Sequence, residues 1–96
     1  DRKEQKRIEA QERQRLSALL KPLEKRLQAI EAQMSDVQNK RISFESALAD
    51  TSIYEADRKE ELKSLLEQQA RDKSLLEALE AEWLQLQEAL ERLQLA

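Results

Sequence analysis

From Leu16 onward, apolar residues return in alternating steps of four and three: Leu16, Leu20, Leu23, Leu27, Ile30, Met34, Val37, Phe44 and Leu48, with Arg41 standing at one step. That spacing is the stripe a helix presents to a partner in a coiled coil. A second stripe of the same kind runs through Leu62, Leu65, Leu76, Leu79, Trp83, Leu86, Leu90 and Leu93, with Gln69 and Asp72 at two of its positions. If the chain reverses about Ile53, Leu16 faces Leu90, Leu20 faces Leu86, Leu23 faces Trp83, Leu27 faces Leu79, Ile30 faces Leu76 and Phe44 faces Leu62. The pattern therefore predicts an all-α fold, an antiparallel two-helix coiled-coil hairpin. Its paired length is about 60 Å, from roughly 40 residues per helix at 1.5 Å each. A single unbroken helix in a parallel dimer is the alternative; it would span roughly 140 Å and need a second chain to cover its stripe.

Between the stripes, Asp50, Thr51 and Ser52 compete for backbone hydrogen bonds in non-helical conformations, which favours a turn. "DRKE" at Asp57 to Glu60 reads as a capping box that starts a new helix, and Ile53 and Tyr54 are expected to fold over the end of the seam. The resulting plan is one domain over residues 1–96. Helix 1 covers about 2–49, the turn about 50–56 and helix 2 about 57–94. Pro22 removes an amide donor inside helix 1 and crowds the carbonyl of Ala18, so a proline kink with a break near 17–22 is expected. Trp83, opposite Leu23, would fill the space so opened; a base-stacking role for the indole is the alternative.

Three consecutive layers are imperfect in this register: Met34 with Asp72, Val37 with Gln69 and Arg41 with Leu65. They should form the weakest part of the seam, able to fix register at a cost in stability, or to act as a hinge.

The composition agrees with a thin, long core. The chain is 39% charged and 3% aromatic, with no Gly, no Cys and a single Pro, the profile of long helices. It begins with Asp inside a charged helical run, which reads as a piece of a larger protein. No long apolar run is available to cross a membrane, so a cytoplasmic location is expected. The seam satisfies itself, so the fragment is expected to be a monomer.

Charge is unevenly placed. Asp1 to Arg26 holds nine Lys or Arg against five Asp or Glu, while Glu77 to Ala96 holds one Arg against five Glu. In a hairpin these segments lie side by side and attract one another. Arg2, Lys3, Lys6, Arg7, Arg13 and Arg15 precede the regular stripe and have fewer structural duties, which makes them the candidate nucleic-acid contacts. With a net charge of −3, phosphate binding has to come from this local concentration. No catalytic residue, metal ligand set or cofactor site is expected in the fragment: it has no His, no Cys and no "GxxxxGK[ST]" phosphate loop, and a two-helix rod offers no protected cleft.

The order "KEQKR", "LKPLEKRLQAIEAQM", "ALADTSIY" and "AEWLQLQEAL" resembles the C-terminal coiled-coil domain of ABC-F family ATPases, in particular its YheS-like subgroup and the related Uup-type domains. Lys3 to Gln5, Pro22, Asp50, Tyr54 and Trp83 carry the likeness. Glu82 and Thr51 depart from it, where many relatives have Arg and Pro. The resemblance implies a parent with two ATP-binding cassettes, ATP and Mg as its cofactors, and work on the ribosome in translation. It further implies an appendage that touches nucleic acid. DNA, ribosomal RNA and a protein partner all stay open, as does a structural spacer without nucleic-acid affinity.

Overall fold

The computed structural model describes residues 1–95; Ala96, the last residue of the expected domain, lies outside them. Helix α1 runs from Arg2 to Ala49. Two single turns of 3-10 helix follow, Thr51–Tyr54 and Ala56–Arg58, and helix α2 runs from Lys59 to Leu95. The two long helices pack along one another in a hairpin whose extents are 82 × 15 × 15 Å. The rod exceeds the expected paired length because the first turns of α1 stand fully exposed ahead of the seam and the tip adds further length.

Burial follows the two stripes. Ile30, Val37, Phe44, Leu79 and Leu90 are buried, and every other stripe position is half-buried except Arg41, which is exposed. Ile30, Val37 and Leu79 form the central cluster, with Met34, Leu76, Trp83 and Leu86 packed against it.

The register differs from the expected one. Leu79 shares its cluster with Ile30 and Val37, where a reversal about Ile53 would have set it against Leu27. Val37, Arg41 and Phe44 together line one groove with Gln69, Asp72 and Leu76. Helix α2 is thus slid about one heptad along α1. Such a shift leaves both 4–3 stripes in phase, so periodicity alone does not exclude it. The cause lies in the tip, which does not reverse symmetrically about Ile53. The Thr51–Tyr54 turn, set off from α1 by an extended Asp50, packs against α2 as well as α1, leaving Ile53 fully buried.

Three local expectations are corrected. The break at 17–22 is absent, because α1 is continuous with Pro22 inside it, and any bend stays within a 15 Å cross-section. Pro22 and Ala18 are both exposed, so water can satisfy the carbonyl that loses its donor, and leucines on either side hold the helix together. Trp83 accordingly serves the Ile30 cluster and not a gap at Pro22. The second correction is at Asp57, which caps nothing: it sits within the Ala56–Arg58 turn, and Glu55, extended at ψ 151°, occupies the capping position without a side-chain bond. Finally, Tyr54 stays 60% exposed. Its hydroxyl donates to the Leu48 carbonyl at 2.8 Å, satisfying one of the acceptors left over at the end of α1.

Candidate nucleic-acid interface

Asp1 starts α1: its carboxylate accepts from the Lys3 amide at 3.0 Å, and Glu4 adds an acidic group to the first turn, where the helix dipole favours it. On that helix Arg2, Lys3, Lys6, Arg7, Arg13 and Arg15 are all exposed, over roughly 20 Å of axis at 1.5 Å per residue. They do not share one face. Counting back from Leu16 in steps of three and four places Arg13, Lys6 and Arg2 on the line of the seam, with Glu9 among them. Lys3 and Arg7 fall on one flank, Arg15 on the other.

Two of the six are engaged locally, Arg7 with Glu4 and Arg15 with Glu12 at 3.1 Å. Among the described residues, ion pairs are recorded for neither Arg2, Lys3, Lys6 nor Arg13, and none joins the arm to Glu88 or Glu91. The expected attraction between the basic and acidic segments is carried instead by Arg26, whose Nε and Nη2 donate to the two carboxylate oxygens of Glu82 at 2.8 and 3.0 Å. Glu82 thereby acquires a structural role at a position where the resemblance led one to expect Arg.

A second polar constellation orders the tip. Asp50 accepts from the Ser52 amide at 3.0 Å and from the Ser52 hydroxyl at 2.8 Å. Arg58 donates to the Ser52 hydroxyl oxygen at 2.6 Å and forks onto Glu61 at 2.9 Å through two nitrogens. The Ser52 bonds hold the Asp50 carboxyl below its ordinary value, and the Arg58 bond does the same for Glu61. Sequence reading found the turn-forming Asp50–Ser52 segment but missed Arg58; its spacing of three before Glu61 was the available signal.

Glu82 is likewise held below the ordinary glutamate value of 4.5, first by its hydrogen bonds from Arg26 and then by the guanidinium charge. A lowered folded-state value contributes stability above the unfolded value, and that contribution is lost as pH falls through the folded one. Tracking the Glu82 carboxyl by NMR should give a midpoint below 4.5, and Arg26→Gln should return it to the ordinary value. A Glu82 midpoint that Arg26→Gln leaves in place would show that the pair does not form.

Among the described residues no group of three or more acidic side chains is placed to hold a metal ion. No helix is long and apolar enough to cross a membrane.

Fold and surface together define an antiparallel coiled-coil hairpin whose first helix opens with exposed cations. Over 49 residues, 51% of its length, the chain is 47% identical to the probable ATP-binding protein YheS of Escherichia coli, with the same identity in strains K12, CFT073 and O157:H7. The matched stretch makes up 8% of each relative's length. No family model and no solved structure matches the chain.

Proposed function

We propose that this chain is the C-terminal accessory coiled-coil arm of an ABC-F type ATP-binding protein, and that it contacts nucleic acid, ribosomal RNA or DNA, in translation-related work in the cytoplasm. The observation that carries the contact is the exposure of six cations on α1 ahead of the stripe. The partial likeness to a probable ATP-binding protein supports the parent. ATP hydrolysis, with its ATP and Mg, is assigned to cassettes in the parent; the hairpin is not itself an enzyme. Its role is reach: a rod 82 Å long carries cations to a phosphate backbone or positions the cassettes against the ribosome.

The test is to replace Arg2, Lys3, Lys6 and Arg7 with Gln and to measure binding of the chain to structured RNA and to duplex DNA across a salt series. Each lost phosphate contact should reduce the slope of log affinity against log salt by roughly 0.7 to 0.9, whatever the nucleic-acid sequence. These residues are exposed and lie ahead of the seam, so hairpin melting should barely move. Unchanged affinity and slope would favour the other reading, a spacer hairpin without nucleic-acid affinity.

A further inference from the structure

Helix α2 carries a second 4–3 stripe that its partner helix does not cover. Beside the seam, toward the tip, it reads Lys59, Lys63, Leu66, Ala70 and Lys73, all exposed. Away from the tip the same stripe continues as Glu77, Glu80, Leu84, Gln87 and Glu91, exposed except for half-buried Gln87. Its two leucines are 47% and 53% exposed. The basic half also borders open space: Leu66 and Ala70 line both the groove of about 490 Å³ beside Phe44 and a shallower one bounded by Lys59 and Lys63. None of the stripe's charged groups takes part in an ion pair recorded among the described residues.

The stripe is complementary to itself when reversed. Laid antiparallel on a copy, Lys59 meets Glu91, Leu66 meets Leu84 and Lys73 meets Glu77, and each pairing occurs twice about a two-fold axis. A two-fold interface requires one patch to match its own reverse. Here the two halves have opposite charge, each with a leucine, and Leu84 of one copy comes to the junction of the two grooves on the other. Shifting the alignment by one heptad sets Leu66 against a glutamate, so the charge pattern selects a single register.

We propose that this face of α2 binds a second copy of the chain, forming an antiparallel two-fold dimer through Lys59–Glu91, Leu66–Leu84 and Lys73–Glu77. The expectation of a monomer rested on the seam, which closes within one chain; this face lies outside it.

The experiment is sedimentation equilibrium on the chain over a concentration series at low and high salt, with circular dichroism as a check on folding. The mass should rise toward two copies with concentration, and less so at high salt. Lys59→Glu with Lys73→Glu should weaken self-association by roughly tenfold or more, because like charges then face each other. Glu77→Lys with Glu91→Lys should do the same. Mixing these two variants should restore dimers, since each then presents the charge the other lacks. Leu84→Asp should abolish the dimer while helicity is retained. A single-copy mass at every concentration would overturn the proposal, as would dimers indifferent to the reversals or a mixture that fails to recover.

Discussion

Ile30→Ala is expected to destabilise the hairpin by about 2 to 5 kcal/mol, the range for truncating a buried aliphatic side chain. Ile30 is fully buried at the centre of the only apolar cluster found among the described residues. A two-helix seam has few neighbouring atoms able to relax into the space left behind, so the cavity contributes as well as the lost transfer energy. Small domains have about 5 to 15 kcal/mol in all, which makes this one substitution a large fraction of the total. Ile42→Ala is the control. Ile42 is 64% exposed, and its truncation should change stability by no more than about 0.5 kcal/mol. Urea melts of the two variants decide the matter; equal losses would mean that the seam does not run where the structure puts it.

The second large effect is a gain. Gln69→Leu combined with Asp72→Leu should stabilise the hairpin, by about 1.5 to 3 kcal/mol for each leucine that becomes fully covered. Arg41, Gln69 and Asp72 line the same groove, and Arg41 turns outward to Glu45 at 3.7 Å, leaving apolar walls from Val37, Phe44 and Leu76 partly unfilled. In the parent chain amides near Gln69 to Lys73 should therefore exchange hydrogen faster than those around Leu79. In the variant that difference should shrink. The gain carries a cost in specificity. With leucine at both positions, stripes one heptad out of register would pack nearly as well, so the variant should also show shifted or self-associated forms. A variant less stable than the parent would show that Gln69 and Asp72 make contacts beyond those of the groove.

The seam was legible in the sequence because leucine spacing reports directly which side of a helix is dry. Its register was not, since a shift of seven residues keeps each stripe facing the other, and the choice rests on the tip and on the polar positions Arg41, Gln69 and Asp72, which come together in one groove. Asp50, Thr51 and Ser52 announced a turn through their short polar side chains. That the turn would add a 3-10 segment sealed by Ile53 depended on packing against α2. Pro22 misled for a related reason: the helix it interrupts locally is held on both sides by the seam, and Ala18, whose carbonyl loses its donor, is an exposed residue that water can reach. At the candidate interface the six cations were legible as a cluster in sequence. Their distribution over three sides of α1 follows from helical geometry. The ion pairs Arg7–Glu4 and Arg15–Glu12, which occupy two of them, are visible only with side chains in place.

The reversal at residues 50–58 decides which cations stand free of the seam and which face of α2 is open, and one distance tests it. The chain has no cysteine, so Cys introduced at exposed Gln28 and Glu88 gives a clean pair of spin labels, diluted with unlabelled chain so that only separations within one copy are read. The hairpin predicts a single short separation, on the order of the 8–10 Å between packed helices plus the label tethers. A separation of about 90 Å, the span of 60 residues of continuous helix, would contradict it, as would a short separation that vanishes on dilution.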